Sequence, residues 1–104
     1  MNTTKSTFQV TSRPSKEYKI INGPDASRIF DSVRYTGSNI STKFTLLDEE
    51  SNSAKEVNLK IRGIDREDGS GCSFIIRGYY GKEWFKGYYD TRNRKGFISI
   101  NLYI

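Results

Sequence analysis

From Lys43 to the end of the chain apolar side chains recur at every second residue, and this period narrows the fold more than any other feature. In the last stretch Ile98, Ile100, Leu102 and Ile104 are aliphatic, while Ser99 and Asn101 between them are polar. That alternation describes a strand with one face in a core and the other in water. Val57, Leu59 and Ile61 alternate in the same way with Asn58, Lys60 and Arg62, and Phe44 and Leu46 with Lys43, Thr45 and Leu47. Two further strands fall at about 72–80 and 84–90, bounded by glycine-containing turns. A polar loop at 48–54 and an Asp-Gly turn at 65–71 separate the earlier strands. The last connections, Gly81-Lys82-Glu83 and Thr91-Arg92-Asn93-Arg94-Lys95-Gly96, are too short for a crossover, so neighbouring strands are antiparallel.

The N-terminal part reads differently. A short strand is expected at 7–12, a turn at Arg13-Pro14-Ser15-Lys16, and a second strand at 17–22 with Tyr18 and Ile20 on one face. A helix is expected to start at Gly23-Pro24-Asp25, where proline and an acidic group suit the unpaired amides of a first turn. Ala26, Ile29, Phe30 and Val33 then form one apolar stripe, and Gly37 offers a left-handed cap.

The fold expected is therefore mainly β (α+β): an antiparallel β-meander of about six or seven strands forming a curved sheet or partly open barrel with one packed α-helix. The helix covers the concave face and brings Ile29, Phe30 and Val33 against Val57, Leu59, Ile61, Ile98, Ile100 and Leu102. At 104 residues this is one domain spanning 1–104, with residues 1–5 outside the folded part.

Function classes divide on which residue types are present. The chain has no histidine, which removes the commonest general base and the commonest metal ligand. Its single cysteine, Cys72, has no disulfide or imidazole partner and is expected to be a buried thiol in an intracellular, cytoplasmic protein. Asp65, Glu67 and Asp68 precede Gly69 without the ligand spacing of a calcium loop. No glycine-rich strand-to-helix junction cradles a phosphate, and no apolar run is long enough for a membrane span. The expectation is a non-enzymatic protein with no catalytic residues, no metal and no cofactor.

The charge is more telling. Of 17 basic and 12 acidic groups, residues 71–104 hold six basic and two acidic, whereas residues 38–70 hold five basic and seven acidic. Positive charge gathered on the last strands argues for a polyanionic partner. Carrying the register of the last strand back through hairpins of even length places Trp84, Lys86 and Tyr88 on the outer face. Arg77 and Tyr79 join them from the preceding strand, Lys60 and Arg62 from the one before. Phe97 and Tyr103 share that face. A slip of one residue in any hairpin would turn its residues to the other side. Arg92, Arg94 and Lys95 stand in the last loop, where Asn93 and Gly96 permit a backbone able to grip a phosphate.

Rings interleaved with cations on a sheet suit single-stranded nucleic acid, since bases stack on the rings and cations follow the phosphates. The segment 88–98 resembles the strand–turn–strand layout of PUR-type single-strand-binding repeats, though it departs from them in spacing and lacks their following helix. The competing expectation is a protein–protein interaction domain, an adaptor or inhibitor, because Trp, Tyr and Arg also anchor protein interfaces. The plainest explanation is that aromatic residues suit strands and bind nothing.

Overall fold

The computed structural model describes residues 15–67 and 69–101. Six strands, β1 (Ser15–Asn22), β2 (Ile40–Asp48), β3 (Ser53–Arg66), β4 (Ser73–Tyr80), β5 (Glu83–Asp90) and β6 (Lys95–Asn101), pair antiparallel in chain order. β1 then pairs with β6 from Ser15↔Asn101 to Ile20↔Gly96, so the sheet closes into a barrel rather than remaining partly open. Closure removes the free sheet edges that would otherwise invite pairing with other chains. The expected strand at 7–12, and the core and surface roles given to Leu102 and Tyr103, lie outside the described residues.

The alternation read from the sequence is the alternation observed. Ile98, Ile100, Phe85, Tyr89, Phe74, Ile76, Val57, Leu59 and Ile61 fill the interior. The hairpin turns explain why the register carries through: Asp48 pairs with Ser53, Tyr80 with Glu83 and Asp90 with Lys95, so each of these three turns holds an even number of residues, while the odd connection 67–73 between the paired Arg66 of β3 and Phe74 of β4 is offset by a register shift between Ile61 and Gly63. The first turn is shorter than the expected 48–54 loop, because the ladder runs on to Asp48 and Ser53 and leaves residues 49–52, with Asn52 at positive φ. β3 likewise extends to Arg66, past the expected start of its turn.

The helix α1 (Ser27–Thr36) seals the end of the barrel where β3 and β5 finish and β4 and β6 begin. Phe30, fully buried, stands 5.2 Å from the Phe74 ring and 5.6 Å from the Tyr89 ring, and Tyr89 meets Phe44 edge to face at 5.1 Å. Val33 is the helix's other buried residue, whereas Ile29 is only half-buried. An ion pair between Arg66 and Asp31 at 2.7 Å fastens the helix to β3. At the C-terminus Gly37 takes the expected left-handed cap, its amide donating to the Val33 carbonyl.

The helix starts later than expected, with Ala26 as N-cap and no side-chain capping bond. The residues read as its first turn are used elsewhere. The Pro24 carbonyl accepts the Tyr89 hydroxyl, and the Asp25 carboxylate is paired with Arg94 at 2.8 Å. Gly23 makes room for this, since a Cβ there would lie 2.6 Å from Tyr89 Oη. Residues 23–26 are thus an anchored link between barrel and helix.

Burial pushes the Tyr89 phenol well above the ordinary tyrosine value of 10.0. The folded state therefore favours the protonated ring. The stability this contributes is complete below about pH 10, and is lost as pH rises above that value toward the folded one. Tyr89→Phe should cost roughly 1 kcal/mol at neutral pH for the lost hydrogen bond, yet shift the alkaline unfolding transition to higher pH. Circular dichroism against pH checks this, and an unchanged alkaline midpoint would contradict it.

Candidate nucleic-acid interface

The interface begins with a discontinuity in β3. Ile61 pairs with Gly78 and Gly63 with Arg77, leaving Arg62 as an extra residue in a β-bulge. A bulge locally bends its strand and re-aims a side chain. Here it sends the Arg62 guanidinium over the Tyr79 ring, 5.7 Å from its centroid. Tyr79 pairs across the ladder with Trp84, and the two rings meet edge to face at 5.5 Å, 70° between planes. Lys60 completes the row as the partner of Tyr79 on β3. Gly63 within a strand was the local sign that the ladder breaks here.

A shallow groove of about 580 Å³ runs beside this row, lined by Ser41, Asn58, Lys60, Arg62, Tyr79, Gly81 and Lys82. Among the described residues no carboxylate lines it. Lys82 stands in the turn between β4 and β5, where alternation assigns no face, and so escapes a reading based on strands alone. Lys86 lies on the same outer side, two residues beyond Trp84. None of Lys60, Arg62, Lys82 and Lys86 forms an ion pair among the described residues. Their charge is therefore available to an incoming anion. Glu83 is next in sequence, but the alternation of β5 turns it to the inner side, where its Oε2 is buried without a hydrogen-bond partner among the described residues.

The remaining candidate residues divide in two. Arg77 faces outward as expected, but its guanidinium lies over Gly63 and pairs with Asp65 at 3.1 Å. Arg94 is held by Asp25 at 2.8 Å. Both cations have their charge answered within the chain. Tyr88 stacks on Phe97, centroids 6.0 Å apart, at the other end of the outer face. Arg92 and Lys95 lie near that pair, both exposed and without an ion pair among the described residues. Trp84 and Tyr88 are four residues apart on one strand, which separates the two ring pairs by roughly 13 Å.

The last turn does not have the shape expected of a phosphate grip. It comprises residues 91–94, and its positive φ falls at Arg94 rather than at Asn93 or Gly96. Asp90 organises it, accepting from the Arg92 amide at 2.8 Å and from Asn93 Nδ2 at 2.9 Å. A carboxylate thus already occupies the centre of the loop. Cys72, expected to be buried, is a half-buried free thiol just before β4, and the buried residue beside it is Ser73, whose hydroxyl accepts from Tyr88 on the outer side at 3.3 Å.

Among the described residues no helix is long and apolar enough to cross a membrane. Set against protein-family models, curated proteins and solved structures, the chain finds no match.

Proposed function

We propose that this protein is a non-enzymatic binding module for single-stranded nucleic acid, with the Tyr79–Trp84 ring pair and its surrounding cations as the contact surface. The observation that carries the reading is the groove row itself: two rings in edge-to-face contact, a guanidinium over one of them, and Lys60 and Lys82 in the groove with Lys86 farther along β5, none with a carboxylate partner among the described residues. Half-buried rings offer their remaining faces or edges to a base, and every base has a face to stack, so the contact tolerates sequence. The cations follow the phosphates and make affinity depend on salt. Within the original set of candidates the weight falls on Lys60, Arg62, Tyr79, Trp84 and Lys86, with Lys82 added. Arg77 and Arg94 contribute little, because binding would first have to break their ion pairs.

Trp84 is the chain's single tryptophan, so its fluorescence reports the site directly. Titration with a single-stranded oligonucleotide at low salt is expected to quench that fluorescence, and affinity should fall steeply as salt is raised. Measured by anisotropy of a labelled oligonucleotide, Trp84→Ala is expected to weaken binding by roughly tenfold or more, the scale of one stacked base. Arg94→Ala should leave it unchanged. Absence of binding at low salt, or indifference to Trp84→Ala, would refute the proposal. The other expectation, a protein-docking module, draws support from a different surface, the one around Ile21 and Phe97.

A further inference from the structure

The second discontinuity in the barrel lies in β1. Ile20 pairs with Leu46 and Asn22 with Thr45, so Ile21 is the extra residue of another β-bulge. The bulge turns an aliphatic side chain to solvent, and Ile21 is 38% exposed. The row beneath it runs across four strands through Tyr88, Phe97, Lys19 and Leu47. Phe97 is 48% exposed, so two of the three large hydrophobic residues exposed among those described converge on one place. Between them runs an open groove of about 1050 Å³ whose floor is Ile21, Leu47, Tyr88 and Phe97. Its rim carries Lys19, Arg92 and Lys95.

The charges of the rim are mostly unspent. Arg92 and Lys95 form no ion pair among the described residues, and Lys19 only a long, exposed one to Glu49 at 3.5 Å. The one carboxylate in the lining among the described residues, Asp90, is engaged by the Arg92 amide and by Asn93. An aliphatic and aromatic floor inside a basic rim calls for a ligand of the opposite make-up: apolar side chains interspersed with carboxylates. The groove is open and shallow, which suits a chain segment better than a small molecule. The two rings of the floor, Tyr88 and Phe97, are stacked on each other, and Ile21 and Leu47 beside them are aliphatic, so the floor favours apolar side chains over a run of stacked bases.

We infer that this groove docks an acidic peptide segment of a protein partner, one carrying Leu, Ile or Phe among Asp and Glu, with Ile21 and Phe97 as its apolar anchors and Arg92 and Lys95 as its charge contacts. The site is separate from the nucleic-acid surface, and one can exist without the other.

Selection from a random peptide library on the intact chain tests it. The selected peptides are expected to combine acidic and large apolar residues, and their binding to weaken as salt rises. Ile21→Asp should weaken that binding by roughly tenfold or more, the loss expected from removing one interface anchor. Arg92→Glu should weaken it while leaving the floor intact. Both positions are exposed, so the variants should keep the wild-type circular dichroism spectrum. Oligonucleotide quenching of Trp84 should be unchanged by Ile21→Asp, which separates this site's failure from failure of the nucleic-acid reading. Selected peptides without an acidic excess, or binding indifferent to Ile21→Asp, would overturn the inference. So would a dimer seen by sedimentation that Ile21→Asp dissociates, since the occupant would then be a second copy of the chain.

Discussion

Phe30→Ala is expected to destabilise the protein by about 3–5 kcal/mol, the range for emptying a fully buried aromatic site. Phe30 has no exposed surface and is the contact through which α1 reaches the Phe74 and Tyr89 rings. A helix of ten residues does not persist in water alone, so its order depends on this packing. The cavity would open at the barrel end that the helix seals, where Tyr89, Phe44 and Phe74 would lose part of their cover. Domains of this size are commonly stable by only about 5–15 kcal/mol, so the loss is a large share of the total. A fall in melting temperature of roughly 12 °C or more follows from the usual scaling. Tyr35 provides the control, being on the same helix but 69% exposed. Tyr35→Ala should change stability by no more than about 0.5 kcal/mol. If urea unfolding placed Phe30→Ala beside Tyr35→Ala, the helix would not be the seal described.

Gly78→Ala is expected to be comparably damaging for a different reason. A Cβ at Gly78 would stand 1.8 Å from the backbone oxygen of Lys60 and 2.9 Å from its carbonyl carbon. No rotamer change relieves a clash with backbone, so β3 and β4 would have to separate. Overpacking ordinarily costs about 1–3 kcal/mol, and a backbone clash places this substitution at or above the top of that range. The damage would also reach the proposed interface, because Lys60 and Tyr79 flank the point of closest approach. Any folded fraction of Gly78→Ala should therefore bind oligonucleotide more weakly than wild type. Gly69, exposed and with nothing within 4 Å of a built Cβ, is the matching control. Gly69→Ala should be neutral or slightly stabilising through its effect on the unfolded chain. Equal denaturation midpoints for the two variants would mean that β3 and β4 do not approach as closely as described.

Gly78 also shows where sequence reading reaches its limit. A glycine inside a strand marks a close approach or a bend, but it does not name what approaches. Gly87 behaves similarly, with the Phe97 carbonyl 2.1 Å from a built Cβ. The two glycines sit on the inner side of adjacent strands and let a small barrel coil tightly enough to close. Alternation alone left closure open, since period two is the same in a curved sheet and in a barrel.

The candidate interface was legible to a similar depth. Tyr79, Trp84, Lys86 and Tyr88 could be placed on the outer face from Ile98, Ile100 and the even hairpins, and Lys60 and Arg62 from their alternation with Val57, Leu59 and Ile61. Which of the cations are free could not. Arg94 is answered by Asp25, 69 residues away, and Arg66 by Asp31, 35 residues away, and no local pattern in the sequence records such pairs. The bulges are of the same kind. Consecutive isoleucines at Ile20-Ile21 and the Arg62-Gly63 step hint at a broken ladder, but a bulge exists only relative to the strand beside it.

By itself, then, the sequence determined what neighbouring residues can settle: strand period, short antiparallel connections, the helix with its glycine cap, and the division into an apolar and a basic, aromatic face. Those follow from side-chain direction and turn length, which are local properties. The tertiary structure decided the pairing of β1 with β6, the sealing of one end by Phe30, the exposure of Arg62 and Ile21 at bulges, and the neutralisation of Arg77 and Arg94. Most of these depend on residues distant in the chain being brought within a few ångströms, and even the Arg77–Asp65 pair forms only across two strands aligned by the bulge. The physical reason is that packing and ion pairing act through space, whereas the alternation of a strand is written along the chain.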